Sequence, residues 1–305
     1  MTATLLVLLA GSALAALGGQ LFIRGLIGFS AWWRLPTSVV AATLAAFATS
    51  APELSVAINS AIAGQPEIAL GEVLGSNVVN IALVLGIAVA FAPILVDRGA
   101  VAREYPAAAA APALVGLLAV DGRLGRLDGL ILLAVFAAWL SRGVAAGRRF
   151  RASAPGAVLE RTRTSVVISL GLGLVMLILA GRAIVAGAVG ISAALGWDGF
   201  VVGAVLVALG TSAPELVTVI IARLRGHDDV AVGTILGSNI FNTLMILGIA
   251  AVIHPIAVEG FETDVGVVAS AVLVLLLIPV RGRLERWRSV PLLGSYVLVL
   301  ALLAS

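Results

Sequence analysis

Two glutamates stand where a charge is expensive. Glu53 and Glu215 lie inside long apolar stretches, and a charged side chain at the centre of a bilayer costs about 2.5–3.5 kcal/mol on the insertion scale. Each sits in the same hexapeptide, Thr49-Ser50-Ala51-Pro52-Glu53-Leu54 and Thr211-Ser212-Ala213-Pro214-Glu215-Leu216. The chain has no lysine, and no arginine is spaced to pair with both carboxylates. The missing positive charge is most simply a bound cation. The plainer alternative is a protonated, neutral glutamic acid that serves helix packing.

Pro52 and Pro214 interrupt otherwise continuous apolar spans. Proline has no N–H and clashes with the carbonyl four residues back. It is therefore expected to break the helices and free the carbonyls of Ala48 and Gly210, with the neighbouring Thr49 and Thr211 carbonyls as candidate ligands. Irregular backbone at membrane depth is tolerated where it lines a cavity or is buried in protein. An ordinary proline kink is the competing reading. So is a capping box, since Ser50-x-x-Glu53 and Ser212-x-x-Glu215 both fit that pattern.

Ser76 and Asn80 are four apart and share a helix face, as do Ser238 and Asn242. With two carboxylates and backbone oxygens they make a hard-oxygen set, which suits Ca²⁺ and its six to eight flexible oxygen ligands. Mg²⁺ sheds water more reluctantly, and soft metals lack sulfur or imidazole partners. Interhelical hydrogen bonding by Ser and Asn, worth about 0.6 kcal/mol per contact, is the alternative. Gly71, Gly75, Gly86 and their counterparts Gly233, Gly237, Gly248 are read as close-approach points between helices.

The elements that must hold these residues follow from composition. Hydrophobic residues make up 61% of the 305 and charged residues 11%, against about 25% charged in a typical soluble domain. That excludes a soluble globule, a disordered chain and a nucleic-acid-binding domain. All 19 cations are arginine and cysteine is absent, which removes disulfides, thiolate sites, Ser–Lys dyads and Schiff-base chemistry. The two histidines, His227 and His254, fall near predicted helix ends, so no histidine-bound metal is expected inside. Thr4 to Leu17 resembles a signal peptide in its apolarity but lacks a basic n-region, its first charge being Arg24; it reads as a first membrane helix.

Apolar segments run over 3–23, 36–63, 67–95, 106–120, 127–146, 164–194, 199–222, 229–254, 264–280 and 289–304, each about long enough to span a bilayer or close to it. The expected fold is an all-α polytopic membrane protein of ten transmembrane helices. Sixteen of the 19 arginines fall in loops after odd-numbered spans, which places those loops in the cytoplasm and both termini outside. The organisation is then 1–146 as a first five-helix repeat, 147–163 as a basic cytoplasmic loop, and 164–305 as a second repeat.

The repeats are visible directly. Shifted by 162, Val40–Ile94 and Val202–Ile256 are identical at 25 of 55 positions without a gap. The matches include Thr, Ser, Pro, Glu, Asn and Gly, which generic similarity between apolar helices does not produce. Five spans per half is odd, so the second half enters the membrane upside down. Inverted repeats with a midplane site are the architecture of alternating-access transporters.

The doubled motifs Ala/Gly-Thr-Ser-Ala-Pro-Glu and Gly-Ser-Asn-x-x-Asn resemble the paired α-repeats of the sodium/calcium exchangers, within the cation/calcium antiporter superfamily. The resemblance implies Glu53 and Glu215 as central Ca²⁺ ligands with the carbonyls of Thr49 and Thr211. It implies Na⁺ sites at Ala46, Ser50, Ser76 and their mates Ala208, Ser212, Ser238, with Asn80 near the centre. Two positions depart from the family. Several members carry aspartate where this chain has Asn242, so two carboxylates rather than three face the centre. Glu72 stands where an amide is common, and its repeat mate is Thr234; it is either an extra titratable group or a residue of the cavity mouth. A site of charge −2 is neutralised by one Ca²⁺, two Na⁺ or two protons.

The function expected is Ca²⁺/Na⁺ antiport, with Ca²⁺/H⁺ exchange as the near alternative, a cation channel as a remoter one, and a membrane enzyme disfavoured for want of a nucleophile dyad or phosphate loop. No resident cofactor is expected; Ca²⁺ and Na⁺ are substrates, and the bilayer is the surrounding partner.

Overall fold

The computed structural model describes residues 2–64, 66–96, 98–153, 162–195, 211–258 and 261–303. The protein is mostly helical. Helix α1 (Thr2–Trp33) is followed by α2 (Thr37–Val40), a π-helical turn (Ala41–Ala45) and α3 (Ala46–Thr49), then α4 (Ala51–Ile62). Next come α5 (Pro66–Val78), a π segment (Val79–Leu85) and α6 (Gly86–Phe91), then α7 (Arg98–Leu118) and α8 (Arg126–Ser153). The second half has α9 (Arg163–Leu195), α10 (Ala213–Leu224), α11 (Asp228–Ile240), a π segment (Phe241–Ile246) and α12 (Leu247–Ile253). It ends with α13 (Phe261–Leu276) and α14 (Ser289–Leu303).

Among the described residues five helices are long and apolar enough to cross a membrane: Leu9–Trp33, Pro66–Phe91, Arg126–Gly147, Arg163–Ala180 and Asp228–Ile253. A sixth forms if Thr37–Thr49 and Ala51–Ile62, bent by 46° at their junction, count as one. The two long π-containing helices are mostly buried within the protein, whereas Arg126–Gly147 and Arg163–Ala180 are mostly exposed, as expected of helices that face lipid.

The halves are related in space as well as in sequence. Helix α1 packs lengthwise against its mate α9. Gly28 meets Val166, Gly25 meets Leu170 and Gly18 meets Met176, so one index rises as the other falls and the pair is antiparallel. At its end the Arg163 guanidinium lies 5.2 Å over the Trp32 ring. The turns Gly64 and Gly226, 162 apart, both adopt a positive φ (74° and 76°), the left-handed conformation that lets a helix end and reverse.

Two short strand pairs cross-link the halves. Strand β1 (Ile94–Leu95) pairs with β4 (Arg283–Leu284), and β2 (Arg123–Leu124) pairs with β3 (Ile256–Ala257), both antiparallel. Val96 N–H donates to Gly282 O, and Val258 N–H to Gly122 O, each at 2.9 Å. Each half thus closes its own ladder only with a strand from the other.

Candidate ion-binding site

The helix breaks where proline requires it. The last backbone bond before the break is Ser50 N–H to Ala46 O (3.0 Å), and the helix resumes with Leu54 N–H to Ser50 O (3.1 Å). In the second half Leu216 N–H to Ser212 O (3.0 Å) restarts the helix in the same way. Pro52 and Pro214 occupy the second positions of α4 and α10, in the first turn, where N–H groups have no intrahelical acceptor and a missing one costs little. Ser50 and Ser212 are the N-cap residues, yet neither makes a side-chain capping bond. The capping-box alternative is therefore not what these serines form.

The Ser50 hydroxyl instead crosses the repeat interface and donates to Glu215 Oε1 at 3.1 Å. Ser238 donates to the same oxygen at 3.2 Å. The Thr49 hydroxyl turns back to Ala45 O at 3.0 Å, which fixes the turn that ends α3. Ala46, Thr49, Ser50, Glu53, Ser76, Asn80, Ser212, Glu215, Ser238 and Asn242 are all buried; Thr211 is partly buried. Ala208 lies outside the described residues.

The burial leaves a set of oxygens without partners. Both oxygens of Glu53, Glu215 Oε2, Ser76 Oγ, Ser212 Oγ, Asn80 Oδ1 and Asn242 Oδ1 have no hydrogen bond. A buried polar atom left unpaired costs roughly 1–3 kcal/mol, and more if charged. Seven such atoms on the motif residues of both repeats are not what a packing role for serine, asparagine and glutamate produces. None of the ion pairs among the described residues involves Glu53 or Glu215. The motif residues form a buried, acceptor-rich set, chemically suited to take a small hard cation in exchange for its hydration shell. Among the described residues no three His, Asp or Glu side chains are grouped to hold a metal; the charge comes from a carboxylate pair and the remaining oxygens are neutral.

Glu72 is partly exposed, but both its carboxylate oxygens are enclosed and unpartnered. It lies one turn from Ser76 on the same face of α5.

Residues that sequence reasoning gave no role hold the chamber together. Asn80 Nδ2 donates to Asn239 Oδ1 at 3.1 Å, and its mate Asn242 Nδ2 donates to Asn77 Oδ1 at 3.4 Å. Asn239 Nδ2 reaches Asn77 O at 3.0 Å, and Asn77 Nδ2 reaches Thr243 Oγ1 at 2.7 Å. These crossed bonds pair 77 with 242 and 243, and 80 with 239, so the two π-containing helices cross antiparallel at their asparagines. The π turns begin at Val79 and Phe241, again 162 apart; such bulges recur at functional sites because they re-aim the side chains around them. The signal for Asn77 was its i, i+3 spacing to Asn80 and its exact repetition as Asn239.

Gly237 shows why the next helix can come so close. A Cβ there would run into the Ala42 backbone of the first π turn. Ser238 is thereby held against the segment that carries Ser50.

Comparison with known proteins agrees with this geometry. The family described as sodium/calcium exchanger protein matches residues 3–142 and 165–304. The putative antiporter CaxA of Alkalimonas amylolytica is 33% identical over 296 residues, covering 94% of this chain and 92% of CaxA. The sodium/calcium exchanger MaX1 of Methanosarcina acetivorans is 24% identical, with 99% of each chain covered. Among solved structures, the sodium-calcium exchanger NCX_Mj superposes with a TM-score of 0.83 at 27% identity, covering 98% of both chains. NCX_Mj has been solved after soaks in Na⁺ with Ca²⁺ or Sr²⁺.

Proposed function

Because the chain belongs to the sodium/calcium exchanger family, a family of membrane transporters and not of enzymes, we propose that it exchanges Ca²⁺ for Na⁺ by alternating access through the chamber between the two broken helices. The observation that carries this reading is the pair of buried glutamates, one per repeat, on motifs whose buried serine, asparagine and carboxylate oxygens are left without partners. Glu53 and Glu215 supply the charge that a Ca²⁺ ion neutralises. The carbonyls of Thr49 and Thr211 complete its shell, and Asn80 and Asn242 face it with neutral oxygens. Na⁺ takes the flanking positions at Ser50, Ser76, Ser212 and Ser238 with the carbonyls of Ala46 and Ala208.

The scaffold is ten transmembrane helices in two inverted five-helix repeats, residues 1–146 and 164–305, joined by a basic cytoplasmic segment, with both termini outside. The antiparallel packing of α1 on α9 and of α5 on α11 supports the inversion. Two repeats that share one site at their interface give the carrier two ways to open, one toward each side.

Proton coupling is the second reading, and the observation in its favour is Glu72, a third carboxylate one turn from Ser76 with no ion-pair partner among the described residues. Replacing Na⁺ by choline at fixed pH in proteoliposomes separates the two. Loss of Ca²⁺ flux supports Na⁺ coupling; flux that survives and follows an imposed pH gradient supports protons.

A further inference from the structure

A cavity of about 510 Å³ lies between the α2–π segment, α7 and α8, with none of the ion-site residues in its lining. Its wall includes Val39 and Thr43 from the first element, Arg103 and Glu104 from α7, and Trp139 and Arg142 from α8. That volume is within the roughly 300–1,000 Å³ of small-molecule sites. Its charge is two arginines against one glutamate, so a cation is disfavoured there. Arg103 is engaged with Glu104 at 3.2 Å, whereas the Arg142 guanidinium has no ion-pair or hydrogen-bond partner among the described residues. The Thr43 hydroxyl is already donated to Val39 O at 2.7 Å and adds no recognition. What remains is a free planar guanidinium with a second arginine near it, above an apolar wall with a tryptophan.

The cavity sits at the arginine-rich ends of its helices. Helix α7 begins at Arg98 and α8 runs out through Arg142, Arg148 and Arg149. Tryptophan and arginine at one level of a membrane helix mark the headgroup region, and basic pockets between transmembrane helices suit anionic lipid headgroups. We propose that this cavity binds an anionic phospholipid, its phosphate paired with Arg142 and Arg103 and an acyl chain laid along Val39 and Trp139. The cavity lining shares no residue with the ion site. It is linked to that site through Val39 and Thr43, which belong to the same broken helix as Ala46, Thr49 and Ser50, so a seated lipid braces the segment that presents those groups.

The test uses the full chain, delipidated in neutral detergent, with phosphatidylglycerol, phosphatidylcholine and inorganic phosphate as probes. Retained lipid is counted by native mass spectrometry and thermal unfolding is read in parallel. The expected result is preferential retention of phosphatidylglycerol with a raised Tm. Arg142→Gln lowers that retention about tenfold, as loss of one charge-assisted contact should, and Arg149→Gln, on the same helix but outside the cavity lining, leaves it unchanged. Equal retention of the two lipids overturns the proposal, as does an Arg149→Gln loss matching that of Arg142→Gln. Inorganic phosphate reproducing the thermal shift overturns it in favour of a free anion.

Discussion

The Ser50 hydroxyl donates to Glu215 Oε1 at 3.1 Å across 165 residues of sequence, while its repeat mate Ser212 has no partner and neither oxygen of Glu53 is hydrogen bonded. Two copies of one hexapeptide therefore hold their carboxylates unequally. Glu215 is fastened by Ser50 and Ser238; both oxygens of Glu53 are buried without a hydrogen bond.

That inequality predicts unequal mutants. A hydrogen bond to a charged group is worth roughly 1.5–3 kcal/mol. Ser50→Ala is expected to lower the unfolding temperature clearly, whereas Ser212→Ala leaves it nearly unchanged. Both are expected to weaken Na⁺ dependence of exchange. Thermal unfolding of the two variants side by side checks the first part; equal shifts would contradict the asymmetry.

Gly237→Ala is expected to destabilise the protein by about 1–3 kcal/mol or more, because the Ala42 backbone has to move. Gly294→Ala is the comparison. A Cβ there meets nothing within 4 Å, and replacing a helical glycine gains up to about 1 kcal/mol. Yield and Tm of the two variants should move in opposite directions.

Asn242→Asp puts a third carboxylate in the chamber and removes the donor that reaches Asn77 Oδ1. The expected outcome is a stronger dependence of exchange on Na⁺ concentration and on membrane potential. Flux measured against both in proteoliposomes checks it; curves superimposable on the parent would place residue 242 outside the ion path.

Topology is tested without background, since the native chain has no cysteine. A cysteine at Ser153, at the end of α8, is expected to react with impermeant maleimide only after cells are opened. Labelling from outside intact cells would reverse the orientation.

The break at Pro52 was legible in the sequence because its cause is local: the proline lacks an N–H, and α3 ends at Thr49, shortly before it. The repeat was legible through residues too polar to recur by chance in a membrane span. The span boundaries were less so. Residues 36–63 read as one segment but fold as α2, a π turn, α3 and α4, since a π bulge depends on packing rather than on composition. Helix α8 runs on to Ser153, beyond the last apolar residue that marked its end, because arginines are good helix formers outside the bilayer. The capping-box pattern at Ser50 was misleading because a carboxylate 165 residues away competes for the same hydroxyl. The strand pairs Ile94–Leu95 with Arg283–Leu284 and Arg123–Leu124 with Ile256–Ala257 had no sequence signal, being two residues long and formed only across the halves.

The most direct measurement is radiolabelled Ca²⁺ uptake into Na⁺-loaded proteoliposomes containing the native chain, Glu53→Gln or Glu215→Gln. The amide is close in shape to the carboxylate, and a neutral group is cheaper to bury, so both variants are expected to fold and reconstitute. The account predicts Na⁺-driven uptake by the native chain and its loss in both variants. Near-normal uptake in either variant would contradict a site built on the two carboxylates.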